Sequence, residues 1–160
     1  MLQQAYISLG GNLGNTAEIF EQALQVIERL AGDISKKSSL YQTAAWGNTQ
    51  QPDFLNQVIL IQTTLSPNKL LDTLLTIELK FGRERKEHWG PRTLDLDLLF
   101  FDDFILNKDQ LILPHPRIPE RKFILIPLQE IAADWLHPVE QKTIQQLVIE
   151  CKDDSEVKKL

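Results

Sequence analysis

An α+β fold, with helices packed on a largely antiparallel sheet, is what this sequence predicts. Three observations carry the prediction. Apolar, β-branched runs and amphipathic helical stretches alternate without the strict strand–helix–strand rhythm of a parallel sheet. Turn signals separate them at short intervals, with no repeat, low-complexity linker or second compositional block. The 160 residues are 42% hydrophobic and 24% charged, ordinary for a globular chain, and one domain over residues 1–160 is expected. A chain of this length buries about 70% of its unfolded surface, enough for a real core.

The elements follow in order. Ala5 to Leu9 reads as a first strand, and Gly10-Gly11-Asn12-Leu13-Gly14-Asn15 as a turn. Asn15 with Glu18 resembles a capping box. Ile19, Phe20, Ala23, Leu24, Ile27 and Leu30 then recur at helical spacing up to Gly32. Ser38 to Thr43 is a short strand, a polar loop runs through Trp46 to Pro52, and Phe54 to Leu65 is a long strand. Ser66-Pro67 is an N-cap followed by an N1 proline. It opens a second helix through Leu70, Leu71, Leu74, Leu75 and Ile77, closed by Gly82. A basic loop covers Arg83 to Arg92, and a strand covers Thr93 to Phe101. Asp102-Asp103 turns the chain into a return strand beginning near Ile105 and Leu106. Leu113-Pro114-His115-Pro116 is a rigid connection. Phe123 to Ala133 contains a helix entered at Pro127, Thr143 to Cys151 a last helix, and the charged tail is expected to fray.

Charge and cysteine content narrow the function. A formal net charge of −5 argues against a general nucleic-acid binder. The single cysteine, Cys151, excludes an intramolecular disulfide and a cysteine-based zinc site, and fits a cytoplasmic protein. Met1-Leu2-Gln3-Gln4 is not a basic segment leading into an apolar core, so no secretory leader is expected. No apolar run reaches about 18 residues, so no membrane span is expected.

The chemistry concentrates in Gly90-Pro91-Arg92-Thr93-Leu94-Asp95-Leu96-Asp97-Leu98-Leu99. Side chains on a strand alternate with period two, so Asp95 and Asp97 share one face, roughly 7 Å apart. Leu94, Leu96, Leu98 and Phe100 are expected on the other face, and Leu99 and Phe101 on the aspartates' face, as in a central strand. Paired carboxylates beside an apolar surface need protons, a cation or basic neighbours, and hard oxygen ligands suit magnesium. Lys80, Arg83, Arg85, Lys86 and Arg92 lie just upstream. An acidic pair beside a basic loop is what phosphate transfer requires. A sheet-edge aspartate pair and a solvated basic loop are the plainer alternative.

Other candidates carry two readings each. The glycine turn at Gly10–Gly14 sits where a phosphate loop would, but its spacing is neither the dinucleotide fingerprint nor a Walker loop, and a tight strand-to-helix turn is the simpler reading. Asn56 offers a donor and an acceptor to a heterocyclic amide edge, or serves a turn. Phe123 and Trp46 stack on a planar ligand or belong to the core. His115, between two prolines, touches a phosphate or caps a turn. Trp89 closes over a ligand or pins its loop, and Glu78 lies on a core-lined helix whose polar face is solvated by default.

Taken together, the segments Ile7–Gly14, Gln51–Asn56, Ile77-Glu78 with Gly82-Arg83, Trp89–Asp97, Leu113–Arg117 and Glu120–Phe123 resemble the 6-hydroxymethyl-7,8-dihydropterin pyrophosphokinase family of folate biosynthesis. The Gly-Pro-Arg-Thr-Leu-Asp-Leu-Asp block is the most specific of them. The resemblance implies a ferredoxin-like core and transfer of the β,γ-pyrophosphoryl group of ATP to the pterin hydroxymethyl oxygen, releasing AMP. It implies that Asp95 and Asp97 hold two magnesium ions, and that Arg83 and Arg92 neutralise charge in the transition state. Glu78, Arg85, Lys86, Trp89, Arg92, His115 and Arg121 match positions at or near ATP. Thr43, Phe54, Asn56 and Phe123 match the pterin pocket, with Trp46 at its entrance; Phe123 would stack on the ring and Asn56 read its amide edge.

The expectation is therefore a monomeric, cytoplasmic, magnesium-dependent pyrophosphokinase that takes ATP as co-substrate and needs neither nucleic acid nor membrane. Positioning and charge neutralisation would supply most of the rate, and no general base is evident. Two other classes remain: a metal-dependent phosphohydrolase using the same aspartates with water as nucleophile, and a catalytically silent nucleotide- or pterin-binding domain.

Overall fold

The computed structural model describes residues 1–44, 51–82 and 93–160. Strand β1 (Gln3–Gly11) lies inside the sheet and is apolar on both faces. Helix α1 (Thr16–Leu30) follows, with the Asn15 side chain accepting from Glu18 N–H and donating to the Glu18 carboxylate. Next come β2 (Asp33–Lys37), β3 (Tyr41–Thr43), β4 (Phe54–Thr63), α2 (Pro67–Lys80) and β5 (Asp95–Phe101). The chain ends with the hairpin β6 (Leu106–Lys108) and β7 (Leu111–Leu113), a 3-10 turn at Ile118–Glu120, α3 (Lys122–Ala132), α4 (Ile144–Glu150) and β8 (Lys158–Lys159).

The main sheet is antiparallel with order β5-β1-β4-β3-β8, and β2 also pairs with β4. β4 is long enough to take β3 along its first half and β2 along its second. At the break between them, Ser38 accepts from Val58 N–H through its hydroxyl and donates its own N–H to Val58 carbonyl oxygen, so the ladder continues without a strand. The succession β1-α1-β2/β3-β4-α2-β5 in this spatial order is the ferredoxin-like arrangement expected from the resemblance.

Two cores lie on opposite faces. The first packs Phe20, Ala23 and Ile27 of α1 and Leu70, Leu74 and Ile77 of α2 against Ile7, Leu9, Ile59, Ile61, Leu96 and Leu98. The second packs Ile124, Leu125 and Leu128 of α3 and Ile144 and Leu147 of α4 against Tyr6, Val58, Leu60, Leu99 and Phe100. Gly32 joins α1 to β2 because the chain passes directly over β4: a Cβ there would stand 2.3 Å from the Gln62 carbonyl oxygen.

Several expectations need correction. β5 is an edge strand rather than a central one. Its ladder with β1 shifts register between Tyr6 and Ile7, so Leu99 and Phe100 both reach the second core and Phe101 returns to the first. A bulge of this kind reverses the expected faces of Phe100 and Phe101. The return strand near Leu106 pairs with β7, not with β5. β2 was not anticipated, since Asp33-Ile34-Ser35-Lys36-Lys37 has little apolar alternation. α3 starts at Lys122 and runs through Pro127 instead of entering at it. The tail does not fray: Lys158 and Lys159 pair with Gln42 and Tyr41, and Leu160 N–H donates to the Leu40 carbonyl.

Candidate active site

Residues directly opposite in an antiparallel ladder share a face. Tyr41 stands opposite Asn56, Asn56 opposite Gly10, and Gly10 opposite Asp95. Thr43 and Phe54 are the next pair toward the strand ends on β3 and β4. Val58, Ser8 and Asp97 form the neighbouring row inward. All of these face the side covered by α3 and α4, because Val58 and Tyr6 belong to the second core. That core stops short of the row, and polar side chains take over: Ser8, Thr43 and Asn56 are buried, and Asp95 and Asp97 are half-buried.

Gly10 is the floor between the two halves of this row. A Cβ there would come within 3.3 Å of Asn56 Oδ1. Across two strand spacings, Asn56 and Asp95 stand roughly 10 Å apart, with only backbone between them. Asn56 donates to Thr43 Oγ1 at 3.3 Å, which orients its amide along β3. Just beyond β1, Asn12 donates to Gln51 Oε1 (3.1 Å) and the Pro52 carbonyl (3.0 Å), tying the segment that leads into β4 to the glycine turn. The turn therefore acts as a structural junction.

The aspartate strand is held at its open edge. Glu78, only 3% exposed on α2, accepts the Leu96 N–H through Oε2 at 2.7 Å. Leu96 lies between the two aspartates, so this bond fixes the backbone that aims both of them. Farther along the same edge, His115 N–H donates to the Leu99 carbonyl at 2.9 Å. Glu78 is thus no solvated surface residue. His115 caps its own turn, Nδ1 accepting from Arg117 N–H at 3.2 Å.

His115 and Arg121 close the aspartates' side. Burial lowers the His115 pKa, the Asp97 charge opposes that, and Arg121 and Arg117 reinforce it. Burial also lowers the Arg121 pKa, against the attraction of Asp97 and, more weakly, Asp95. These couplings place one cationic and one titratable group in electrostatic reach of the carboxylate pair. Arg121 also lies over the Phe123 ring, 5.7 Å from its centroid, in the first turn of α3. Phe123 is half-buried against the second core.

The structure therefore brings Thr43, Phe54, Asn56, Asp95 and Asp97 onto one face, with His115, Arg121 and Phe123 above it and Glu78 behind the strand. Trp46, Arg83, Arg85, Lys86, Trp89 and Arg92 lie outside the described residues. Among the described residues no group of three or more His, Cys, Asp or Glu side chains is placed to hold a metal by itself. Two carboxylates that leave the remaining positions to phosphate and water oxygens are the donor set magnesium commonly takes.

Sequence reasoning missed Gly10 as the floor and missed the tail. Ser155, Glu156 and Lys158 line a cavity of about 440 Å3 together with Gln42, Thr43, Ala44 and Asp53. Its other wall comes from the end of the chain, which no local motif announces.

Residues 6–133 match the family of 7,8-dihydro-6-hydroxymethylpterin-pyrophosphokinase (HPPK). The chain is 46% identical over 145 residues to a 2-amino-4-hydroxy-6-hydroxymethyldihydropteridine pyrophosphokinase of Synechocystis, covering 90% of this chain and 74% of that one. It is 41% identical over 155 residues to the Haemophilus influenzae protein of the same name, covering 96% of each. Among solved structures, the wild-type HPPK-DHPS of Plasmodium falciparum superposes with a TM-score of 0.78 at 17% identity, over 94% of this chain and 45% of that one. This last likeness is one of fold, and the chain spans less than half of that longer protein.

Proposed function

The chain belongs to the 7,8-dihydro-6-hydroxymethylpterin-pyrophosphokinase family, and from that premise we propose how its own residues divide the work. The reaction is pyrophosphoryl transfer from ATP to the hydroxymethyl group of the dihydropterin, in folate biosynthesis. The observation that carries our division is the cross-sheet row Asn56–Gly10–Asp95. It gives one floor with an amide-reading end and an anionic end, roughly 10 Å apart. A pterin lying flat on Gly10 would point its amide toward Asn56 and its hydroxymethyl arm toward the aspartates.

In this reading Thr43, Phe54 and Asn56 receive the pterin, and Phe123 covers its ring from α3. The Thr43 hydroxyl holds the Asn56 amide in register for the heterocycle. Asp95 and Asp97 would hold the two magnesium ions. Magnesium, when bound, screens the phosphate charge and polarises the transferring group. Glu78 keeps Leu96, and with it both carboxylates, in place. Arg121 and His115 approach the same phosphates from the α3 side, and the arginine is oriented by the Phe123 ring. Arg83, Arg85, Lys86 and Arg92 supply the positive charge that balances the triphosphate, while Trp89 serves ATP binding and Trp46 pterin binding. Catalysis on this account is alignment and charge balance, with no side chain required as a covalent partner.

We take residues 1–160 as one domain that works as a cytoplasmic monomer. No helix among the described residues is long and apolar enough to cross a membrane. Phosphorus NMR of ATP, magnesium and enzyme, with and without 6-hydroxymethyl-7,8-dihydropterin, tests the assignment. AMP and a pterin diphosphate ester are expected only when the pterin is present. ADP or free phosphate without pterin would mean a phosphohydrolase, and no turnover a binding domain.

A further inference from the structure

Helix α3 has an unusual start. Arg121 occupies its N-cap position, and no side chain from the helix's own beginning caps it. The first N–H, that of Lys122, donates instead to Oδ2 of Asp153 at 3.1 Å, a residue 31 positions away in the tail. The other carboxylate oxygen of Asp153 accepts from Ser155 N–H (3.0 Å) and from the Ser155 hydroxyl (2.5 Å). A carboxylate at this point satisfies an orphan donor and lies at the positive end of the helix dipole. Burial alone would raise the Asp153 pKa, but the bonds from Ser155 and Lys122 outweigh it, so the net shift is downward and the anion is held.

The same tail then crosses to the other wall. Three residues past Ser155, Lys158 and Lys159 pair with Gln42 and Tyr41 of β3, the strand that carries Thr43. Meanwhile the far part of α3 is already tied to β3. Glu130 accepts from Tyr41 OH at 2.7 Å and from Ser39 N–H and Oγ at 2.9 Å each. The end of α3 near Glu130 is therefore fixed to the sheet by the helix itself. At the end that presents Arg121 and Phe123, Ile124 and Leu125 seat the helix in the second core, and the tail holds its first N–H.

We propose that Asp153 is a positioning residue for substrate: by capping α3 from the tail, it sets where Phe123 and Arg121 stand over the Asn56–Gly10–Asp95 floor. This deepens the pocket assignment above and rests on it. The tail acts as a clasp, one point on the helix that covers the pterin and one on the strand beside it. Its loss loosens the cover and leaves the aspartates untouched.

Steady-state kinetics of Asp153→Ala test this. The KM for 6-hydroxymethyl-7,8-dihydropterin is expected to rise by roughly three- to tenfold, the range that loss of a helix cap allows, with a smaller change in kcat. Asp153→Asn keeps an acceptor for Lys122 N–H and is expected to recover part of the loss. Ser155→Ala removes the hydroxyl bond to the carboxylate but keeps the bond from the backbone N–H, and should shift KM the same way by about twofold. It serves alone if Asp153→Ala does not fold. A parental pterin KM in Asp153→Ala, whatever its melting temperature, would make the residue a brace of the fold and overturn the proposal. A parental KM in Ser155→Ala, were it the only folded variant, would do the same. Phe123→Ala separates the two levels. If it raises KM while Asp153→Ala does not, the clasp alone fails. If Phe123→Ala itself leaves KM unchanged, the pocket assignment fails and the clasp with it.

Discussion

The two faces of the sheet are built from the same strands yet end differently. The face under α1 and α2 is apolar along its length, from Leu94 and Leu96 through Ile7 and Ile59 to Ile34. The face under α3 and α4 is equally apolar around Tyr6, Leu60 and Phe100, and then changes within one residue pair to Ser8, Asn56, Asp97 and Asp95. Because neighbours on a strand point to opposite faces, the sealed side anchors the open one: each aspartate is flanked by leucines of the first core. A site on a core-anchored strand is held more tightly than one on a loop. The reactive carboxylates inherit their rigidity from the face they do not touch.

The sharpest way to break this comparison is to remove one residue from each face of β5's neighbourhood. Asp97→Ala is expected to lower turnover by roughly a hundredfold or more, as loss of a charged group at a phosphoryl-transfer centre does. Its melting curve should stay near the parent's, because a half-buried carboxylate facing a second carboxylate is no pillar of the core. Retained activity would remove the aspartates from the mechanism. Leu74→Ala, on the sealed side, should do the reverse. Leu74 is 1% exposed, and its truncation is expected to cost about 2–5 kcal/mol in urea unfolding while both KM values hold. A matching rise in pterin KM would mean that the two faces are not mechanically separate.

Most helices and their apolar stripes were legible from periodicity, and the shared face of Asp95 and Asp97 from their spacing. What escaped was non-local. The start of α3 is set by Asp153, which no reading of Glu120 to Phe123 can reveal. β2 forms because β4 offers an unpaired second half, not because Asp33–Lys37 prefers a strand. The bulge opposite Tyr6 and Ile7 follows from packing Leu99 and Phe100 together on the α3 side, whereas strict alternation would have separated them. The edge position of β5 also reads wrongly from composition, since Glu78 and His115 cover an edge that would otherwise need polar side chains.

Glu78 links the two faces, because it rises from the sealed side to hold the backbone between the aspartates. Glu78→Ala leaves the buried Leu96 N–H without its acceptor and is expected to cost about 1–3 kcal/mol, together with turnover. Glu78→Gln keeps an acceptor oxygen and should restore stability. If it restores turnover as well, Glu78 acts through position. If it holds the fold but not the rate, its charge reaches the nucleotide.

The smallest effect sharpens the comparison from the far end of the open face. His137 is 4% exposed, packs edge-on against Phe100 with centroids 5.4 Å apart, and accepts through Nδ1 from Val139 N–H (3.2 Å) and Glu140 N–H (3.0 Å). Burial lowers its pKa below the ordinary 6.5, with the Glu140 charge opposing. The unfolded chain therefore takes up the proton first. Stability from this site is complete above about pH 6.5 and is lost as pH falls toward the depressed folded value. One proton limits the slope to about 1.4 kcal/mol per pH unit. Urea midpoints between pH 7.5 and 5.5 should fall accordingly, and His137→Asn should flatten that fall from a lower starting stability. Since this histidine braces the packed end of the second core and not its polar end, pterin KM at pH 7.5 should be the same in His137→Asn as in the parent; a change there would show that the open face is one mechanical unit from His137 to Asp95.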